Sequence, residues 1–268
     1  MEKLGILAGA GKLPVECARA ARQLGYEVYA VGLLPATDPA IAEFSAEFVS
    51  ISVGQLEAIL NYLQSKELRK VTMIGKVTKE LLFNGAVIPD VKMLQLIMSL
   101  PNRNDDTIMM AFVMELAKAG METFDQTALI RSLMPHRGTI TKREPTDEER
   151  LDLEYGMRIA KELGRMDIGQ TVVVKNRAVM ALEAIEGTDA CIKRGGQLAG
   201  GSGAVVAKVS KPAQDNRFDV PTIGYQTVEC MVEAGATALA IEADKTLMVD
   251  RENTVALAEE HNISIVAW

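Results

Sequence analysis

Short apolar runs alternate with amphipathic stretches along the first part of the chain. The apolar run at residues 4–8 predicts a buried strand, and apolar positions within residues 11–24 recur at helical spacing. Further apolar runs at residues 27–33 and 70–76 predict later strands, with a helix predicted at residues 55–65. Strands and helices that alternate in this way are typical of βαβ units. The pattern therefore predicts an α/β fold built on a parallel sheet.

A polar stretch interrupts this pattern near the middle of the chain. Residues 135–150 contain two prolines, a glycine and dense mixed charge, which is typical of a linker. A helix and a second series of alternating strands and helices follow it. We therefore predict a first domain at residues 1–134, a linker at 135–146, and a second α/β domain at 147–268.

Composition excludes several classes of protein. The 268 residues carry a net charge of −7, so the basic surface that non-specific nucleic-acid binding requires is not indicated. Three cysteines without a CxxC pair indicate neither a zinc ribbon nor a disulfide framework, and they fit a reducing compartment. No apolar run reaches the roughly 20 residues of a membrane span. Charged residues are spread through the first 20 positions, so no apolar core of a signal peptide is indicated there. We expect a cytoplasmic protein.

A glycine-bearing turn follows the first predicted strand. It comprises Gly9, Ala10, Gly11 and Lys12. The turn is not a P-loop because Leu13 follows the lysine, and it is not a dinucleotide fingerprint because Pro14 replaces the third glycine. Small residues and a helix N-terminus can still hold a phosphate. A tight βα turn without a ligand explains the residues equally well.

Gly75 and Lys76 end another predicted strand in the same manner. If the two strands are parallel, both loops lie at the carboxyl edge of the sheet, where ligands bind in such folds. Lys76 is then a candidate for substrate binding, and a solvated surface lysine is the alternative. Two such loops on one edge favour a ligand site more than either loop alone.

Asp105 and Asp106 fall in the first turn of a predicted central helix. Acidic residues there stabilise the helix dipole, which is a sufficient structural explanation. The functional alternative is a carboxylate pair that helps to hold a divalent cation, with Arg103 close enough in sequence to contact phosphate.

The densest polar stretch of the chain lies at residues 211–221. Lys211, Asp215, Arg217 and Asp219 occur within nine residues. In an extended segment the last three would share one face, because side chains alternate along a strand. Two carboxylates around an arginine suit a metal-and-phosphate site. A surface loop with an internal ion pair is the alternative.

A second acidic and basic cluster precedes this stretch. Glu186 and Asp189 lie close to Lys193 and Arg194 in the sequence. The cluster predicts either another edge of the same cleft or a capped surface helix. The chain has only two histidines, which is too few for a dinuclear, histidine-rich metallophosphoesterase.

The ordered set of motifs resembles the LpxI-type UDP-2,3-diacylglucosamine pyrophosphatases. The motifs are "GILAGAGKLP", "GK", "DD", "EGTDA" and "KPAQDNRFDVP", and the resemblance covers essentially the whole chain. It implies a Rossmann-like N-terminal domain and a distinct α/β C-terminal domain, with substrate between them. It also implies Mg²⁺-dependent hydrolysis of UDP-2,3-diacylglucosamine to UMP and 2,3-diacylglucosamine 1-phosphate (lipid X), a step of lipid A biosynthesis.

The resemblance also ranks the candidate residues. Asp219 is the first choice for the essential carboxylate, followed by Asp215, Asp189 and Glu186. Lys211 and Arg217 join Asp219 and Asp215 as catalytic candidates. Asp219, Asp215, Asp105 and Asp106 are the candidate Mg²⁺ ligands. The substrate-binding candidates are Gly9, Ala10, Gly11, Lys12, Lys76, Glu186 and Asp189.

The expected partner is an amphiphilic UDP-sugar lipid. The Met- and Leu-rich helices at residues 91–117 are candidates for the groove that takes its acyl chains. Contact with the cytoplasmic face of the inner membrane should then be peripheral and transient, and a homo-oligomer remains an option. The alternative function is a non-catalytic nucleotide- or phosphosugar-binding sensor. A redox enzyme is disfavoured because no acidic residue ends the second predicted strand.

Overall fold

The structure is a computed structural model that describes residues 1–77, 87–102, 105–212, 215 and 217–268. Its contacts divide the chain into two compact units. Residues 1–130 together with 216–218 form the first unit, and residues 131–215 together with 219–268 form the second.

The first unit contains a parallel sheet covered by helices. Its strands are β1 (Glu2–Ala8), β2 (Tyr26–Gly32), β3 (Glu47–Ser50), β4 (Lys70–Ile74) and β5 (Glu122–Thr123). Its helices are α1 (Leu13–Gln23), α2 (Leu56–Ser65), α3 (Val91–Ser99), α4 (Asp105–Lys118) and α5 (Thr127–Ile130), with a 3-10 helix at Pro39–Phe44. In the described part of the chain the order is β3-β2-β1-β4-β5, and every neighbouring pair is parallel.

The strand order reverses between β1 and β4. The chain winds outward from β1 to β3 and then crosses back to place β4 on the other side of β1. Ligands of open α/β sheets bind beyond the carboxyl ends of the strands at such a reversal. The two glycine-bearing turns of the sequence therefore lie at the position where this fold offers a binding crevice.

The described part of the second unit contains a six-stranded mixed sheet and a separate pair of parallel strands. The strands of the unit are β6 (Gly138–Thr139), β7 (Thr171–Lys175), β8 (Ala178–Leu182), β9 (Ala204–Lys208), β10 (Thr222–Ile223), β11 (Ala236–Ile241), β12 (Leu247–Met248) and β13 (Ser264–Ala267). Strands β10 and β12 form the separate pair, and the others form the mixed sheet in the order β6-β13-β11-β9-β7-β8. The helices of the unit are α6 (Asp147–Arg165), α7 (Thr188–Leu198), α8 (Tyr225–Ala234) and α9 (Arg251–Glu260), with a 3-10 helix at Arg131–Leu133. Strands β9, β11 and β13 run parallel, whereas β7, β8 and β6 are antiparallel to their neighbours. The predicted α/β class, with a parallel sheet and a distinct second α/β unit, is confirmed.

Alternation along the strands supplies a core on each face of the mixed sheet. Val173 and Val206 pack under α7 and α8, whereas Val172 and Val205 pack under α6. Helix α6 can lie close to the sheet because its Gly156 has no side chain: a Cβ there would be 2.9 Å from the Cβ of Ala207. Both faces of this sheet are therefore covered, which explains its long apolar strands.

Residues 135–146, which the sequence predicts as a linker, include a short strand. Gly138 and Thr139 form β6 and pair with β13. The guanidinium of Arg143 donates to the carboxylate of Glu149 at 2.7 and 3.0 Å and to the carbonyl of Asn262 at 2.8 Å. The polar residues of this segment thus have partners in the second unit, which their composition alone could not reveal.

Candidate functional site

The two glycine-bearing turns of the first unit are hydrogen-bonded to each other. The N–H of Gly9 donates to the carbonyl of Ile74 at 2.8 Å, and the N–H of Ala10 donates to the carbonyl of Lys76 at 2.9 Å. The N–H of Lys76 donates back to the carbonyl of Ala10 at 3.0 Å. A Cβ at Gly9 would lie 2.8 Å from the carbonyl carbon of Gly75, so this approach requires glycine.

The hydrogen bonds between the two turns reduce the number of main-chain N–H groups that could bind a phosphate. The N–H groups of Gly9 and Ala10 already have carbonyl partners in the structure. Gly11, with φ of +97°, and Lys12, the N-cap of α1, lead into the helix, and Pro14 lies in its first turn. Proline is tolerated there because no intrahelical hydrogen bond is lost. In the first turn of α1, Pro14 has no N–H, and the N–H groups of Val15 and Glu16 donate to the carbonyl of Lys12, so the turn offers a phosphate few main-chain donors.

The third predicted site is the aspartate pair of the central helix. Asp105 and Asp106 begin α4, but their side chains lie outside the described residues, as does the whole of Arg103. The predicted metal role of the two aspartates stays a prediction.

In the second unit, a buried lysine lies at the carboxyl end of β9. Lys208 is 6% exposed. Its ammonium donates to the carbonyl of Thr222 at 2.8 Å and to the hydroxyl of Thr188 at 3.1 Å. The hydroxyl of Thr188 in turn donates to the Glu183 carboxylate at 3.1 Å. The buried ammonium of Lys208 thus joins the carboxyl end of β9 to the start of α7 and the start of β10.

The charges of three carboxylates act on this ammonium. Burial lowers the pKa of Lys208 below its ordinary value of 10.5, and the nearby charges of Glu183, Asp189 and Asp219 oppose that shift. Asp189 and Asp219 are two of the predicted site residues, and Lys208 brings them into one electrostatic environment. Sequence reasoning missed Lys208, although a lysine ending the apolar run "AVVAK" was a usable signal.

The loop after β9 turns rather than extends. The N–H of Asp219 donates to the carbonyl of Asp215 at 2.9 Å, an i to i+4 bond that an extended segment cannot form. The expectation that Asp215, Arg217 and Asp219 share one face of an extended strand was therefore wrong. A local turn satisfies backbone groups that a lone strand would leave to solvent.

Two other residues of this loop have different surroundings. The ammonium of Lys211 lies 2.8 Å from the carboxylate of Asp167 at the end of α6. Residues 216–218 group with the first unit, where Arg217 donates to the sulfur of Met110 at 3.4 Å and Phe218 packs on the apolar core.

A buried carboxylate fixes the start of the same loop. Glu242 follows β11 and accepts from the N–H of Ser210 at 2.8 Å. Lys161 and Lys245 place ammonium groups 3.2 and 3.3 Å from its other oxygen. Although burial opposes ionisation, the hydrogen bond from Ser210 and the ammonium of Lys161 hold the pKa of Glu242 below its usual value. Glu242 therefore positions the loop that carries the predicted catalytic residues.

Glu186 is held by local partners instead. It accepts from the N–H of Ala184 at 3.1 Å and pairs with the guanidinium of Arg194, which also donates to the carbonyl of Leu182 at 2.8 Å. Backbone hydrogen bonds and Arg194 hold the pKa of Glu186 below its usual value. Glu186 thus stabilises the segment that leads into α7, and its role in substrate binding stays a prediction.

Neither histidine supplies a catalytic group in the described geometry. His136 lies on the surface, where its Nδ1 is 2.6 Å from the carboxylate of Asp244. His261 follows α9 as its C-cap residue. Within the described residues, no three histidine, cysteine or acidic side chains are grouped to bind a metal.

Exposed apolar side chains line α3 and α4. Val91, Leu94 and Met98 lie on one stripe of α3, and Met110 and Met114 lie one turn apart on α4. Met93 and Leu96 cover the core from the opposite side of α3. Helix α3 therefore has two apolar faces, of which only one is needed for folding.

The matches to known protein families and to a known relative extend over nearly the whole chain. The LpxI N-terminal domain family matches residues 3–133, and the LpxI C-terminal domain family matches residues 136–266. The UDP-2,3-diacylglucosamine pyrophosphatase LpxI of Caulobacter vibrioides is 31% identical over 276 residues, covering 99% of this chain and 97% of that protein.

Similarity to solved structures is much weaker. The UDP-glucose-4-epimerase of Stenotrophomonas maltophila is 14% identical with a TM-score of 0.29, covering 45% of this chain and 35% of its own. The N5-carboxyaminoimidazole ribonucleotide synthetase purK is 16% identical with a TM-score of 0.29, covering 64% of this chain and 31% of its own. This chain thus spans about a third of their lengths.

Proposed function

The chain belongs to the LpxI family, and we propose from this that it hydrolyses UDP-2,3-diacylglucosamine to UMP and 2,3-diacylglucosamine 1-phosphate in lipid A biosynthesis. The chain is a hydrolase that acts on a diphosphate bond. The observation that carries the specific reaction is the full-length relationship to a pyrophosphatase of that name. The charged groups at the carboxyl end of β9 support the proposal that the reaction takes place there.

The diphosphate of the substrate is anionic, and its negative charge disfavours attack by the electron pair of a water molecule. Hydrolysis consumes one water and breaks one P–O bond of the P–O–P bridge. We assign Asp219 to hold or orient the attacking group, since it lies in the charge environment of Lys208 at the sheet edge. Lys211 places a second ammonium in the same loop, 2.8 Å from Asp167. Its role in this proposal is to stabilise charge on the phosphate oxygens.

The proposed cofactor is Mg²⁺. It takes oxygen ligands and is usually held by one or two carboxylates together with substrate phosphates. Asp215 and Asp219 offer an all-oxygen pair of this kind and are tied together by the 2.9 Å main-chain bond between them. When bound, Mg²⁺ would neutralise charge on the diphosphate oxygens. A site completed by substrate is consistent with the lack of a three-ligand cluster among the described residues.

The test is UMP release by the purified full-length chain. Wild type should release UMP from UDP-2,3-diacylglucosamine, lose activity with EDTA, and recover it with Mg²⁺. Asp219→Asn should lower kcat by at least about a hundredfold, because it removes a carboxylate placed at the reacting group. Asp244→Asn is the matched control. Asp244 is a surface aspartate of the same unit with φ of +56°, a conformation that asparagine also adopts.

Each outcome separates a part of the proposal. Activity of Asp219→Asn within a few-fold of wild type would remove Asp219 from the chemistry. Full activity in EDTA would refute the Mg²⁺ requirement while leaving the hydrolase intact. Tight binding of the substrate by wild type without turnover would instead establish the sensor function.

A further inference from the structure

A buried lysine ties together the two ends of the loop that carries the predicted catalytic residues. Lys208 is the last residue of β9, and its ammonium donates at 2.8 Å to the carbonyl of Thr222, the first residue of β10. The loop between these two residues contains Lys211, Asp215, Arg217 and Asp219. Asp219 precedes Thr222 by three residues. The position of Asp219 therefore depends on a hydrogen bond made by a side chain at the other end of the loop.

The same ammonium also holds the start of α7. The hydroxyl of Thr188 accepts from Lys208 at 3.1 Å and donates its single proton to the Glu183 carboxylate, also at 3.1 Å. Glu183 is itself buried. Asp189, another predicted site residue, follows Thr188 in the first turn of the helix. Lys208 thus fixes the start of α7 relative to the strand that follows Asp219.

The sheet itself does not require a charge at this position. On the neighbouring strand β11, Ile241 occupies the register position beside Lys208 and is fully buried. Well-packed apolar side chains often stabilise a fold at least as well as buried charged groups do. Lys208 is also only 6% exposed, which leaves little surface for contact with a substrate. The groups that this ammonium holds in place explain its presence better than the stability of the sheet does.

We propose that Lys208 is a positioning residue for hydrolysis, which holds Asp219 in place relative to the start of α7; this inference rests on the proposed function. The hydrogen bonds to Thr222 and Thr188 fix the two segments. The charge of the Asp219 carboxylate acts on the ammonium, so their attraction adds to these hydrogen bonds. Loss of the ammonium should misplace Asp219, and a small misplacement of a reacting group slows the chemical step more than it weakens substrate binding.

The experiment measures kcat and KM for UMP release by the full-length chain, for wild type, Lys208→Met and Lys175→Met. Lys175 ends β7 of the same sheet, and its ammonium donates to the carbonyls of Ala199 at 2.7 Å and Ser202 at 2.8 Å. Because β7 and β9 are antiparallel, Lys175 lies at the opposite end of the sheet from Lys208. Lys175→Met is therefore a matched control that removes a hydrogen-bonded ammonium away from the predicted site. Thermal unfolding verifies that each variant is folded.

Lys208→Met should lower kcat at least about tenfold while KM stays within about threefold of wild type. Lys175→Met should keep both quantities within about twofold. In an Asp219→Asn background, Lys208→Met should lower kcat by less than about twofold, because its effect acts through that carboxylate. An unchanged kcat in folded Lys208→Met, a change confined to KM, or the same loss of kcat in both backgrounds overturns the proposal.

Two substitutions at Thr188 test the same network if Lys208→Met does not fold. Thr188→Val removes the hydroxyl that joins Lys208 to Glu183 and keeps the branched shape of the side chain, whereas Thr188→Ser retains the hydroxyl. Thr188→Val should lower kcat about fivefold, and Thr188→Ser should stay within about twofold of wild type. Equal kcat values for the two folded variants contradict the positioning role.

The same measurements separate this proposal from the proposed function. If wild type releases UMP and folded Lys208→Met is equally active, the hydrolase is supported and only the positioning role is refuted. A wild type that releases no UMP refutes the proposed function, and with it the positioning role of Lys208.

Discussion

Lys208 is a positive charge that the protein buries at the edge of its second sheet. Its ammonium donates to oxygens of Thr222 and Thr188, and the charges of the Glu183, Asp189 and Asp219 carboxylates act on it. A buried ammonium is costly unless such partners compensate it. Lys208 therefore makes the positions of α7, β9 and β10 dependent on one another.

The lowered pKa of Lys208 predicts a pH dependence of stability. Between its folded pKa and the ordinary value of 10.5, the unfolded chain binds the proton more readily than the folded one. The contribution of Lys208 to the free energy of unfolding therefore rises with pH across that window. Urea unfolding of wild type and Lys208→Met between pH 8 and 10.5 should show wild type gaining stability relative to the variant as pH rises.

Lys70 provides a control of opposite sign. Its hydrogen bond to Glu2 raises its pKa, so its contribution is complete below 10.5 and is lost as pH rises through the folded pKa. Lys70→Met should thus show wild type losing its relative advantage above pH 10.5. A wild-type to Lys208→Met difference that is constant with pH would contradict the burial of a shifted ammonium.

Glycines inside α7 set how closely this helix packs. A Cβ at Gly195 would lie 2.5 Å from the Cβ of Val173 on β7, and one at Gly196 would lie 2.4 Å from the carbonyl oxygen of Ala234 on α8. Glycine is a poor helix former, so its presence here reflects packing rather than propensity. From the sequence the segment at residues 193–203 is identified only as glycine-rich.

Replacing these glycines separates packing from helix propensity. Gly196→Ala should destabilise the protein by about 2 kcal/mol, because α7 and α8 must separate to admit the methyl group. Gly164→Ala in α6 is the control, since a Cβ there meets its nearest atom at an ordinary 3.5 Å. It should be neutral or stabilising by up to about 1 kcal/mol. Equal effects of the two substitutions on urea unfolding would contradict the packing argument.

At the scale of the molecule, the exposed apolar stripe of α3, formed by Val91, Leu94 and Met98, contrasts with a chain of net charge −7. Exposed apolar patches are typical of binding sites. None of the helices in the described ranges has the length and apolar character needed to cross a bilayer. We propose that the stripe holds the acyl chains of the substrate and allows peripheral, transient membrane contact.

Two leucines of matched exposure test the acyl role. Leu94 on the stripe is 46% exposed, and Leu151 on α6 is 45% exposed. Leu94→Asp should raise KM for UDP-2,3-diacylglucosamine about five- to tenfold through lost apolar contact, while UMP affinity stays unchanged. Leu151→Asp should alter neither quantity. Equal changes in KM for the two variants would remove the stripe from substrate binding.

The elements that were predicted well are those with local signals. The strand at β1, the helix α1 with Pro14 in its first turn, and the capped helix α6 all follow from periodicity and terminal residues. The segment after Lys211 was predicted wrongly as extended, because the bond between Asp219 and Asp215 depends on loop context. The roles assigned to these site residues remain predictions.

The sequence by itself determined the α/β class, the order of the elements and, through its ordered motifs, the resemblance to the family to which the chain belongs. These properties depend on local periodicity and on motifs that are read along the chain. Only the tertiary structure decided that Gly9 is needed for contact with the β4 turn, and that Lys208 is buried where the charges of three carboxylates act on it. Each of these depends on residues far apart in sequence, whose approach is set by packing and strand order rather than by local propensity.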